Sequence, residues 1–81
     1  MTIKIKNQIT KDEELKIDLL QIRVETPYPS TPIKIKLDDG TQFGSNTDKE
    51  GIAICHTSNI KNYNITVEIA DKTVKDKIKI E

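Results

Sequence analysis

Cys55 and His56 stand side by side, and a thiol beside an imidazole is the pairing that activates a cysteine nucleophile. They are the only cysteine and the only histidine of the chain. Neighbours on a β-strand point to opposite faces, however, so on a strand these two side chains diverge. Ile52 and Ile54 share the phase of His56, while Ala53 shares that of Cys55. The pair reads as a small half-buried thiol and a strand-end imidazole, and no catalytic residue is expected. One cysteine also cannot form an internal disulfide, which points to synthesis in a reducing compartment.

Asn46-Thr47-Asp48-Lys49-Glu50-Gly51 echoes the start of a calcium loop. The bidentate glutamate that closes such a loop would fall at position 57, which is Thr57. A β-turn stabilised by Asp48 and Gly51 accounts for the same residues. Structural zinc needs four ligands, and one Cys with one His cannot supply them. No cofactor and no metal are expected. Asn64-Ile65-Thr66 fits a glycosylation sequon, which without a secretory signal marks only two solvent-facing strand positions.

The remaining candidates are for partner binding. Lys4 and Lys6 near the start, and Lys75, Lys77 and Lys79 near the end, occupy the polar phases of two alternating runs. With the first and last strands side by side they would form one basic face, suited to an acidic partner surface. The same lysines would equally protect exposed strand edges from unwanted pairing. Tyr28, between Pro27 and Pro29, is the one aromatic that could begin an exposed binding platform.

Composition narrows the field. Thirteen basic residues balance thirteen acidic ones, and Arg23 is the only arginine, so neither nucleic acid nor an anionic membrane is an expected partner. Of the 81 residues 35% are apolar, and half of those are isoleucine, a β-branched composition that suits half-buried strands. No run is apolar enough for a signal peptide or a membrane span. The expected location is the cytoplasm, or outside it by a route that needs no cleaved signal. At this length there is room for one domain, 1–81.

The elements that must position these residues follow from period-two alternation. Ile33, Ile35 and Leu37 alternate with Lys34 and Lys36. Tyr63, Ile65, Val67 and Ile69 alternate with Asn64, Thr66 and Glu68. Val74, Ile78 and Ile80 take one face and Lys75, Lys77 and Lys79 the other. Pro27, Pro29 and Pro32 break the chain ahead of one strand, and Asp38-Asp39-Gly40 is a hairpin signal after it. Further turns fall at Asp48 to Gly51, Asn59 to Asn62 and Asp71-Lys72. Thr10-Lys11-Asp12-Glu13 has the form of a helix capping box, with Leu15 and Leu19 four apart. A strand with a bulge near Leu19 or Leu20 explains the apolar phase slip there and is the reading favoured over a helix.

The pattern predicts an antiparallel sandwich with strands near 2–6, 16–25, 32–37, 41–47, 52–57, 63–70 and 73–80. Its expected core is Ile3, Ile5, Ile17, Leu20, Ile22, Ile33, Ile35, Leu37, Phe43, Ile52, Ile54, Tyr63, Ile65, Val67, Ile69, Val74, Ile78 and Ile80.

Pro32 to Gly40, then Thr47-Asp48-Lys49-Glu50-Gly51-Ile52-Ala53, then Tyr63-Asn64-Ile65-Thr66-Val67 resemble the transthyretin-like, or carboxypeptidase regulatory-like, immunoglobulin-like β-sandwich domains. In that family a strand ending in Asp-Gly is followed by a Thr-Asp-x-x-Gly turn and a strand opening with Tyr. The resemblance covers about half the chain and rests on turns, so it speaks to fold more than to function. Within the group the pattern looks most like small domains attached to spike and baseplate components of bacterial contractile injection systems of the type VI secretion kind. The resemblance implies a non-catalytic structural adaptor; a free-standing inhibitor or carbohydrate-binding module is the alternative. Two related activities do not fit. The hydroxyisourate hydrolases end in Tyr-Arg-Gly-Ser, whereas this chain ends Lys77-Ile78-Lys79-Ile80-Glu81. The isopeptide-forming adhesin repeats need an asparagine that the last strand lacks.

Overall fold

The computed structural model describes residues 2–80. Runs in which every second residue is apolar extend as strands, because one face can then be buried and the other wet, and β3 and β6 are the clearest of them. The strands among the described residues are β1 (Lys4–Asp12), β2 (Ile17–Glu25), β3 (Pro32–Leu37), β4 (Gln42–Asn46), β5 (Ile52–Thr57), β6 (Tyr63–Ile69) and β7 (Lys72–Ile78). They form two antiparallel sheets, β1-β2-β5 (sheet A) and β4-β3-β6-β7 (sheet B). Between the sheets lie Leu20, Ile22 and Val24 of β2, the alternating apolar residues of β3 and β6, and Ala53 and Ile78.

Three turns take the forms their residues dictate. After β3, Gly40 donates to the Leu37 carbonyl at 3.1 Å and sits at φ 95°, closing a three-residue hairpin. In the second turn the Asp48 carboxylate accepts from the backbone N–H of Glu50 (2.8 Å) and Ile52 (2.9 Å). Those two bonds hold the Asp48 carboxyl below its ordinary pKa. Their contribution is therefore present above the usual aspartate range and is lost as the pH falls through the lowered value. Between β6 and β7 the loop is only Ala70-Asp71, at φ 50° and 62°, a two-residue turn with both residues left-handed.

The chain passes between sheets at 26–31 and 47–51 on one pole, and at 58–62 on the other. The first two crossings are clasped together. Thr26 donates from its backbone N–H and its hydroxyl to the Gly51 carbonyl, both at 2.8 Å, and its hydroxyl accepts from Tyr28 N–H at 3.1 Å. The Thr47 hydroxyl donates to the Tyr28 carbonyl at 2.6 Å and accepts from Thr31 N–H at 2.8 Å. At the far pole Tyr63, whose ring is buried, donates its hydroxyl to the Asn59 carbonyl at 2.5 Å and closes the loop ahead of β6.

Four expectations need correction. β1 continues to Asp12, well past residue 6, and turns into β2 through a loop in which Asp12 Oδ1 accepts from the Glu14 and Leu15 N–H groups; the capping-box residues build a hairpin, in keeping with the strand favoured over a helix there. No bulge interrupts β2, whose register against β1 is unbroken from Asp12–Ile17 to Lys4–Glu25. Ile17 therefore stays on the outward phase and is exposed, not core. In β5 the phase is inverted. Ala53 pairs with Val24 and Cys55 with Ile22, so those two face the core, while Ile54 is exposed. Finally, β1 and β7 belong to different sheets, so the two lysine rows face outward from opposite sides of the sandwich.

Glycine is required at position 51 for two reasons, a φ of 81° and a Cβ position only 2.1 Å from the Thr26 carbonyl oxygen. Gly40 has the strained φ but open space around it. Gly40→Ala should cost about 1 kcal/mol. Gly51→Ala should cost on the order of 3 kcal/mol or more. Thermal unfolding of both variants checks the ordering, and equal midpoints would contradict it. By the same logic Ala70→Asn should raise stability by roughly 1 kcal/mol, because asparagine tolerates the left-handed region better than alanine.

Candidate functional site

Cys55 and His56 occupy neighbouring positions on β5 and face opposite ways. Cys55 packs against the core cluster, and burial pushes its thiol up to about 11. His56 is exposed, with Nε2 3.2 Å from Gln21 Oε1 on the adjacent strand. The thiol is thus protonated at neutral pH, and His56 on the opposite face is no base for it. Asp48 spends its carboxylate on the turn, and among the described residues no group of three His, Cys, Asp or Glu side chains could hold a metal ion.

What the fold does present is two polar sheet faces. On the outer face of sheet A, Lys6 and Arg23 flank Glu25 at 3.5 and 2.8 Å. The Arg23 hydrogen bond, more than either charge, lowers the Glu25 pKa. These residues, with Asn7, Gln8 and Gln21, line a shallow groove of about 430 Å³. Lys4 lies on the same face, opposite Glu25 in the ladder.

The outer face of sheet B is more uniformly basic. Lys36, Thr66 and Lys75 stand in one cross-strand row, Lys34, Glu68 and Thr73 in the next, and Lys77 lies beside Asn64. Glu68 pairs with Lys36 at 2.6 Å, and Asp38 accepts from Asn64 in the row of Lys77; among the described residues Lys34, Lys75 and Lys77 form no ion pair. Lys79 lies just beyond β7 and is exposed. Sequence reading linked Lys75, Lys77 and Lys79 to Lys4 and Lys6; the register links them to Lys34 and Lys36 instead. The signal was present in the alternation of Lys34 and Lys36 with Ile33 and Ile35, but the strand order that joins β3 to β7 through β6 is not local information.

Tyr28 is half-buried, packs against the core cluster, and lines a depression with Ile3, Pro27, Lys72 and Val74. Its backbone groups belong to the threonine clasp, so the residue is as much a fastening as a surface. Among the described residues the large apolar side chains left exposed are Ile9, Leu15, Ile17 and Ile54, and the first three sit on the β1–β2 hairpin arm. Leu15 at its tip is 67% exposed. No helix among the described residues is long and apolar enough to cross a membrane.

The buried thiol generates a direct test. A rise from 9.0 to about 11 leaves roughly 100-fold less thiolate near pH 8. Alkylation of Cys55 should be slower than in the unfolded chain by at least that factor, and equal rates with and without denaturant would refute the buried placement. No protein-family model, no curated protein and no solved structure matches the chain.

Proposed function

We propose that this chain is a non-catalytic interaction or structural adaptor module on an immunoglobulin-like sandwich. Two features support the immunoglobulin-like part. Strands β1-β2-β5 and β3-β6-β7 correspond to the two sheets of the constant-type arrangement, with the fourth strand joined to the opposite sheet. Tyr63, at the start of the sixth strand and bonded four residues back, has the geometry of the tyrosine corner of such domains.

The observation that carries the interaction reading is the β1–β2 arm. Ile9, Leu15 and Ile17 are exposed on one hairpin, flanked by Glu13, Glu14 and Asp18, with Leu15 at the tip and Ile9 and Ile17 on opposite faces of the ribbon; elsewhere among the described residues the large apolar side chain left exposed is Ile54. Exposed apolar side chains collected on one projection, with charges around them, mark a contact surface. The turn motifs shared with transthyretin-like domains direct the search for a partner toward spike and baseplate proteins of contractile injection systems.

Affinity capture from the native lysate, comparing wild type with a Leu15→Glu/Ile17→Lys variant, tests the reading. Sheath, spike or baseplate proteins recovered by the wild type and lost with the variant are the expected outcome. Recovery of nothing beyond the bait would overturn the adaptor reading.

A further inference from the structure

β1 is an edge strand, and its free side is built differently from the other three edges. Because Thr26 N–H bonds across to β5, the even-numbered residues of β2 turn their ladder groups to β5 and the odd-numbered ones to β1. The even residues of β1 pair with those odd residues, so Ile5, Asn7, Ile9 and Lys11 aim their backbone N–H and C=O groups away from the sheet. This strand is nine residues long, holds no proline or bulge, and carries no charge from Asn7 through Thr10.

The other edges are blunted. β7 carries two charges, Lys72 and Asp76, on its inward phase, where a charge opposes an added strand, against the single Lys11 on the inward phase of β1. On β5 the outward N–H and C=O of Ile52 are already bonded to Asp48. β4 is five residues long with Gly44 at its centre.

The inward phase of β1 also lacks cover. Ile5 is half-buried, but Ile9, on the same phase, is 48% exposed. We propose that β1 pairs antiparallel with β1 of a second copy of this chain, about a two-fold axis at Gln8. That register sets Ile5 against Lys11 and Asn7 against Ile9, all residues whose backbone groups face outward and can bond. On the outer phase it sets Lys4 against Asp12 of the second copy, opposite charges directly across the ladder. On the inner phase Ile9 comes within diagonal reach of Ile5 and Ile9 of the second copy, which gives the uncovered side chain an apolar neighbourhood. The three-stranded sheet A becomes one continuous six-stranded sheet. This deepens the reading of the chain as an assembly module by naming one partner; a heterologous partner on the arm tip is a separate matter.

A strand pair of this length buries less than the about 1,200–2,000 Å² of a standard interface, so the dimer is weak and shows at high concentration. Sedimentation equilibrium of the purified protein from micromolar to millimolar concentration should show the mass rising toward twice that of one chain. Asn7→Pro removes an outward donor without touching the ladder to β2, and should remain a monomer with an unchanged circular dichroism spectrum. Should that variant fail to fold, amide exchange of the wild type decides. The Asn7 and Ile9 amides should gain protection as concentration rises, while Lys6 and Gln8 are protected throughout. A wild type that stays a single chain at every concentration, a folded Asn7→Pro that still doubles, or odd-numbered amides that exchange freely throughout would overturn the pairing. None of these results bears on capture of a different protein from lysate, so the two readings fail separately.

Discussion

Among the described residues Thr26 and Thr47 are the buried polar side chains, and each stands where the chain leaves one sheet for the other. A buried hydroxyl must find partners or lose the solvation it had in water, at about 1–3 kcal/mol for each group left unpaired. Both are satisfied here only because the 26–31 and 47–51 segments lie against each other, closely enough that Gly51 has no room for a side chain. The relative position of the two sheets at this pole follows from that contact. β5 begins at Ile52 immediately beyond it, β3 begins at Pro32 immediately beyond the other half, and the register of each within its sheet is set from this end. A sandwich core built from aliphatic residues is non-directional; these hydrogen bonds supply direction.

Much of this architecture was legible in the residues. Alternation of apolar with polar residues identified β3, β6 and β7, and Asp-Asp-Gly and Asp-x-x-Gly fixed two turns, because those residues have few other uses. Where legibility failed, the cause was the absence of alternation. β5 is six residues without a charge, so phase could be inferred only from bulk, which favoured Ile over Ala; cross-strand pairing with Ile22 and Val24 decided otherwise. Leu19 and Leu20 are equally apolar neighbours, and only the unbroken ladder to β1 tells which is inside. The later half of β1 has Asn7 and Lys11 on its inward phase, which no periodicity reads as a strand. Of the candidate site, the outward direction of the lysines was legible. Their grouping was not, since it depends on which strands become neighbours.

A formal net charge of zero conceals an uneven distribution. The outer face of sheet B carries Lys34, Lys36, Lys75 and Lys77 against Glu68 and Asp38, whereas the hairpin arm carries Asp12, Glu13, Glu14 and Asp18 with Lys11 and Lys16 between them. Mean composition is a poor guide to the field such a molecule presents, because sheet faces sort charge by residue parity.

The crossings also bear on how the chain folds. β1–β2, β3–β4 and β6–β7 are joined through short turns, while β2–β5 and β3–β6 bring together residues about 30 positions apart. Loop-closure entropy must be met before those distant pairings reward it, which weighs against their forming ahead of the hairpins. β5 has no hairpin partner, so its pairing with β2 is of the distant kind. Until the threonine clasp closes, an uncharged six-residue strand stands open on both sides, and that interval, more than anything in the finished sandwich, is when this chain is open to aggregation.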